Sequence, residues 1–357
     1  MSAKPIRWVM TGAGMPLVPT EFDTAALAPN EVVVEIAGCG VCQSDLDHYY
    51  DGVCTKHELP LALGHEISGH VVDAGADALW YTDRAVVIPA LIPCGRCEAC
   101  LRGRAEICQD RKMPGNDMHG GFATHITVPV HGLCVVDERR MAALGIDLAD
   151  LSVIADGVTR AYHAVVRAGV RKKDLVVVHG LDDVGGYAAQ IATALGGIVV
   201  ALDEDDDRLA AIRSAGVALA LNSAQMAPHD VKSEIEAFAA RRSLPRSGWI
   251  VLECSGTRAG HETAYGLIDH GATLVIVGSA ADKVDIRLSD ATAYDARVIG
   301  SWGCPPELYP AALELVMNGR VRICQFAEKH PLREINRVFE AAHAAALKRH
   351  AVLVPEL

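Results

Sequence analysis

Long apolar runs are missing from this 357-residue chain. Nothing in it approaches the ~20 consecutive apolar residues that cross a bilayer, so no membrane-spanning helix is expected. An excess of basic residues is missing too. The formal charge of −12 argues against nucleic acid or an anionic membrane surface as partner, and it favours no heavily anionic substrate outside a local basic pocket. The opening stretch Met1–Arg7 has no signal-peptide core, which makes cytoplasm the expected compartment. The chain carries no internal repeat and no low-complexity segment. What remains is a soluble globular composition, 50% hydrophobic and 22% charged, on a chain too long for one ordinary core. Two domains are expected. Eleven cysteines without an export signal point to metal ligands and free thiols rather than disulfides.

One stretch organises the rest: Gly64-His65-Glu66, bracketed by apolar residues from Leu61 to Gly69. Cys42 lies upstream in Gly38–Leu46, and Asp156 downstream in Ile154–Val158. One thiolate, one imidazole and one carboxylate close three corners of a zinc tetrahedron and leave the fourth for water or substrate. Taken one at a time, each residue reads as packing. A second cluster argues otherwise, with thiols at Cys94, Cys97, Cys100 and Cys108. Their two-residue gaps suit a closed tetrathiolate zinc site that staples a lobe; the ligand count alone also fits an iron–sulfur cluster. Cysteines 39, 54, 134, 254, 304 and 324 are scattered and read as packing.

The pattern changes near residue 158. Before it, short β-branched runs (Glu31–Ile36, Gly69–Asp73, Ala85–Ile88, Ala123–Val128) alternate with Gly, Pro and Asp turns and predict a small, mostly β domain. After it, strands at Leu175–His179, Ile198–Leu202, Val217–Leu221, Trp249–Glu253 and Thr273–Gly278 alternate with helices, the first over Val184–Gly196. That alternation predicts a parallel, doubly wound sheet. Its first strand-to-helix turn is the expected phosphate site, and Asp203, 23 residues after Gly180 (203 − 180), stands where a ribose-binding acid belongs. An ordinary strand-end aspartate explains Asp203 equally well. A helical stretch (Leu308–Asn318), a second helix (Glu334–Leu347) and a strand (Ala351–Val354) return to the first domain. The expected division is therefore 1–157 with 303–357, and 158–302.

Together, Gly40-Val-Cys-Gln-Ser-Asp45, Gly64-His-Glu66, the four clustered thiols, Asp156 and the nucleotide fold ending in Asp203 resemble the zinc-dependent medium-chain dehydrogenases of the alcohol dehydrogenase type, over nearly the whole chain. The resemblance implies an α/β architecture: a GroES-like catalytic domain plus a Rossmann domain. It further implies one catalytic and one structural zinc, NAD(H), a small-molecule substrate, and dimers or tetramers. By position it makes Cys42, His65 and Asp156 the catalytic zinc ligands, with Glu66 as alternative or second-sphere ligand. Ser44 would start a proton relay continuing through Asp47 or His48, and Asp203 would hold the adenosine ribose. A plain surface turn is the other reading of Asp47 and His48. Lys112–Asp117 and Gly120–Ala123 resemble, more distantly, the branch that oxidises 6-hydroxycyclohex-1-ene-1-carbonyl-CoA, which makes an acyl-CoA substrate a lead. The substrate pocket is expected near Tyr49, His57, Met118 and Trp302.

The chain departs from the family at the cofactor's footprint. The turn Gly180-Leu-Asp-Asp-Val-Gly185 carries Asp182 where the second glycine belongs, and Asp183 after it. A like charge within ~4 Å of the pyrophosphate costs roughly 4 kcal/mol at an effective dielectric of 20, about a thousandfold in affinity. Arg160 replaces a small residue that faces the nicotinamide, Gln43 stands at a position some members make basic, and His350 replaces an arginine that reaches the phosphates. Two readings follow. Either NAD(H) is bound with Arg160 or Arg208 offsetting the carboxylates, or the site has decayed, Arg160 pairs with Asp182 or Asp183, and the zinc serves a non-redox hydratase, hydrolase or lyase.

Overall fold

The computed structural model describes residues 4–24, 26–280 and 282–355; Met1–Ala3 of the opening stretch lie outside them. Two compact units emerge: Met1–Asp156 with Gly303–Met317 and Ala327–Leu357, and Gly157–Trp302 with Asn318–Phe326. The returning C-terminal segment is thus interrupted. Residues 318–326 stay with the second unit because Arg322 N–H donates to Gln190 Oε1 (2.8 Å) and the Phe326 ring meets Tyr187 edge-on at 5.6 Å.

The first unit is built on a sheet whose order is Ala327–Pro331, His350–Val354, Glu31–Gly40, Glu66–Ala74, Ala85–Ile88, Cys134–Val135, with His125–Pro129 also pairing to Glu31–Gly40. All its pairings are antiparallel except the first. Val34, Ile36, Ile67, Phe122 and Phe339 fill its core. Register shifts at Val33/Val34 and Ile36/Gly38 bend the long strand Glu31–Gly40, as bulges do near sites that need a re-aimed backbone.

The second unit is a six-stranded parallel sheet ordered Leu219–Asn222, Ile198–Asp203, Leu175–His179, Ile250–Glu253, Thr273–Ile276, Arg297–Gly300. The chain winds outward in both directions from Leu175–His179, whose five residues are all buried, as a strand covered on both faces requires. The edge strand Arg297–Gly300 was not foreseen; it is short and largely exposed, and lacks the apolar run that marks its neighbours.

Candidate metal centres and the strand-one turn

Strand pairing brings the first cluster together. Gly40 stands opposite Glu66 in the register of the two central strands, so Cys42, two residues beyond one strand's end, sits beside His65, just before the other. Asp156 arrives from a 3-10 turn, Ala149–Ile154, pinned where Ser68 Oγ donates to Leu148 O (2.6 Å) and the Tyr309 hydroxyl donates to Ala155 O. The donor atoms of Cys42, His65, Glu66 and Asp156 all lie within 4.8 Å of one another. Cys42 Sγ and Asp156 Oδ2 are 3.9 Å apart, close to the ~3.6 Å edge that zinc–sulfur and zinc–oxygen bonds of ordinary length subtend in a tetrahedron.

Glu66 supplies the test of fit. It is buried, its Oε2 lies 2.7 Å from His350 Nε2, and its Oε1 has no hydrogen-bond partner. A buried carboxylate oxygen left bare is costly, and a cation beside it removes the cost. The mixed sulfur, nitrogen and oxygen donors suit zinc. Gly40 makes this pair possible, since a Cβ there would fall 2.1 Å from Glu66 Oε2 and 2.7 Å from His350 Nε2. His350 therefore meets Glu66, a partner that its position in the sequence did not suggest.

Asp45 was also missed as a functional residue. Fully buried at the start of the helix Gln43–Tyr49, its Oδ2 accepts from Cys42 N–H (3.0 Å), its Oδ1 accepts from Gly64 N–H (2.9 Å), and Oδ1 lies 3.9 Å from His65 Nδ1. One carboxylate thus fixes both ligand loops, the role outer-shell partners play around metals. Burial pushes its carboxyl up, with the His65 charge opposing. The signal for it was the Asp three residues after Cys42, readable as a helix cap. On the same helix, Asp47 Oδ1 accepts from Gln43 Nε2 (2.8 Å), and His48 Nδ1 faces Val53 O (2.8 Å). Ser44, one turn earlier on that helix, is half-buried.

The second cluster is closed and local. Cys97 Sγ lies 3.5 Å from Cys100 Sγ and 3.6 Å from Cys108 Sγ, and all four sulfurs lie within 4.8 Å. These separations exceed the ~2.05 Å of a disulfide and approach the ~3.8 Å sulfur–sulfur edge of a zinc tetrathiolate. N–H groups of Arg96 and Cys97 hold the Cys94 thiol down at about 7, whereas burial pushes Cys100 up to about 12. Among the scattered cysteines, Cys39, Cys134 and Cys304 are buried as expected of packing residues, but Cys54 and Cys324 are exposed.

Tyr49, near which the substrate pocket is expected, is itself part of the core against Phe339. His57 and Met118 line a cavity of about 240 Å³, together with Arg7, Phe22 and His119, and none of Cys42, His65, Glu66 or Asp156 is among its lining residues. Burial, then Arg7 and His57, depress His119 to about 4. Its Nδ1 accepts the N–H of Ala62, three residues before His65.

In the second unit the strand-one turn keeps its form and changes its charge. Gly180 has φ +82°, and a Cβ there would sit 2.5 Å from the Ser255 backbone; a Cβ on Gly185 would sit 1.7 Å from Gly180 O. Both glycines are demanded by the fold. Asp182, at φ −57°, is not in a glycine-only conformation. Its side chain is 64% exposed and lies 3.6 Å from Arg208 Nη2. Asp183 opens the helix Asp183–Ala194, and its Oδ1 accepts the N–H of Val184 (2.6 Å). Asp203 is buried, with Oδ2 accepting from Leu181 N–H (2.5 Å), Oδ1 from Asp205 N–H (2.8 Å), and Arg208 Nη1 3.9 Å away. Arg160 Nη2 donates to Val277 O (3.3 Å); desolvation and then Glu253 push the nearby Cys254 thiol up, with Arg160 opposing the rise and Asp183 adding to it. A helix N-terminus that receives a diphosphate offers bare N–H groups and positive potential. This one presents two carboxylates, one of them already on a helix N–H. The turn opposes a dinucleotide's diphosphate electrostatically at the place where the fold would otherwise receive it.

Comparison with known proteins agrees with this architecture. The family model described as alcohol dehydrogenase GroES-like domain matches residues 28–138, and that described as zinc-binding dehydrogenase matches residues 184–318. An alcohol dehydrogenase of Geobacillus stearothermophilus is 28% identical over 340 residues, covering 93% of this chain and 94% of that protein. The galactitol 1-phosphate 5-dehydrogenase of Escherichia coli (strain K12) is 31% identical over 283 residues, 76% of each chain. The crystal structure of galactitol-1-phosphate dehydrogenase from Escherichia coli superposes with a TM-score of 0.87 over 98% of this chain and 100% of that one, at 24% identity, and shares the fold. The chain belongs to the zinc-dependent medium-chain dehydrogenases of the alcohol dehydrogenase type. Its α/β fold joins a GroES-like part to a Rossmann-like parallel sheet, as the sequence led one to expect. No helix among the described residues is long and apolar enough to cross a membrane.

Proposed function

We propose that this chain is a zinc-dependent oxidoreductase of the alcohol dehydrogenase type, acting on the hydroxyl or carbonyl group of a small molecule. The observation that carries the reading is the convergence of Cys42, His65, Glu66 and Asp156 donor atoms within 4.8 Å of one another, with one oxygen of the buried Glu66 left bare. Cys42, His65 and Asp156 hold the catalytic ion, Asp45 holds the loops that present them, and Glu66 with His350 stands behind as alternative ligand. Cys94, Cys97, Cys100 and Cys108 hold the structural one. When bound at the first cluster, zinc supplies a Lewis acid that polarises the substrate oxygen. Ser44 accepts the substrate's hydroxyl proton. Asp47 and His48, at helical spacings of three and four from it, share its face and pass the proton outward. A small-molecule substrate agrees with the relatives; an acyl-CoA, a dimeric or tetrameric state, cytoplasmic location and the functional division between the two units are finer expectations carried by the family resemblance.

A second reading is favoured by one observation, the two carboxylates of Asp182 and Asp183: a non-redox zinc enzyme, a hydratase, hydrolase or lyase on a cyclic carbonyl or enoyl compound. The test is metal analysis and turnover on the full chain. Two zinc ions per chain are expected, falling to one in Cys42→Ser with loss of turnover, and Ser44→Ala is expected to lower turnover by about 10²–10⁴. Turnover that survives removal of all zinc would sink both readings. Turnover of secondary alcohols only with added nicotinamide separates the first from the second.

A further inference from the structure

We infer that Asp182 and Asp183 are specificity-determining residues that set this chain's affinity for dinucleotides far below what its fold would otherwise provide. The inference rests on the family reading of the second unit, but not on the reaction catalysed. Four observations carry it. The two glycines of the turn that the fold requires are retained, since a Cβ at Gly180 or Gly185 meets backbone at 2.5 or 1.7 Å. The position that only a close-approaching ligand requires to be glycine holds Asp182, in a backbone conformation open to any residue. Asp183 Oδ1 already takes the N–H of Val184, a group of the helix terminus that would face an anion. The Arg208 guanidinium, 3.6 Å from Asp182 Oδ1 and 3.9 Å from Asp203 Oδ2, is shared between these two carboxylates.

The effect is smaller than the thousandfold that the sequence alone suggests, because the Asp182 side chain is 64% exposed and water screens it. Two carboxylates against a doubly charged diphosphate still amount to roughly a hundredfold in the dissociation constant. The experiment is NADH titration, followed by nicotinamide fluorescence, of the zinc-loaded full-length chain and of Asp182→Gly/Asp183→Gly. The expected result is about a hundredfold tighter binding by the double variant, with wild type unsaturated at millimolar NADH. Asp182→Asn/Asp183→Asn, which keeps side-chain size and the turn's backbone preferences, is expected to recover most of that gain and serves if the glycine variant misfolds. Wild type that binds as tightly as the variants, or folded variants that gain nothing, overturns the inference. Because the readout is binding, its failure leaves the zinc-based reading untouched, and loss of zinc-dependent turnover leaves the binding result standing.

Discussion

The two halves of the expected active centre have fared differently. In the first unit, four donor groups drawn from three separate segments still meet within 4.8 Å, with a buried aspartate behind them fixing two of the loops. In the second, the strand-one turn keeps every glycine the backbone needs and gives up the one a ligand needs. The difference teaches that a motif bundles two kinds of constraint. Gly180 and Gly185 answer to steric exclusion inside the fold; position 182 answers to a molecule outside it. A fold-level likeness therefore vouches for the first kind and says little about the second.

That contrast can be broken at several points. The largest effect is expected at the closed thiolate cluster: Cys97→Ser should remove one zinc per chain and lower stability by about 4 kcal/mol, measured by metal analysis and urea unfolding. Next comes the glycine pair. Gly185→Ala should destabilise by about 3 kcal/mol, since its methyl meets Gly180 O at 1.7 Å, whereas Asp182→Gly should cost no more than about 1 kcal/mol. Equal losses at the two sites would erase the distinction between fold-required and ligand-required positions. Asp45→Ala should weaken zinc at the first cluster about 10–100-fold in a chelator competition, leaving the tetrathiolate ion in place.

The smallest effect is a pH dependence. His119 titrates at about 4 when folded, below the ~6.5 of an unfolded histidine, so the unfolded chain binds the extra proton between those values. Stability should be unaffected by this group above pH 6.5 and fall as pH drops toward 4. Partial exposure of the ring to solvent limits the loss to about 1–2 kcal/mol. His119→Gln should flatten that part of the stability profile; an unchanged slope would show that the ring is not the group responsible.

Much of this was legible in the sequence. Buried strands such as Leu175–His179 and Ala85–Ile88 announce themselves by uninterrupted β-branched runs, and the tetrathiolate by its spacing. The edge strand Arg297–Gly300 and the hairpin Ile6–Val9 with Val18–Glu21 were not readable, because exposed strands owe their existence to a neighbour rather than to their own composition. Asp45 and His350 escaped for a similar reason. Each earns its place through contacts 19 or 284 residues away, to Gly64 and Glu66, that no local pattern encodes. That Tyr49 itself packs against Phe339 was not readable either, because aromatic character alone does not say which way a helix turns its face.

The spacing of the two donor sets along the chain has its own consequence for assembly. The thiolates at 94, 97, 100 and 108 span fifteen residues (108 − 94 + 1), so an ion there closes only a short loop and needs little of the rest of the polypeptide. The other set reaches across 114 residues from Cys42 to Asp156 and exists only after the large sheet has formed. Loading should therefore be ordered in time: the first ion captured by a nascent stretch as it emerges, the second admitted only to a finished molecule.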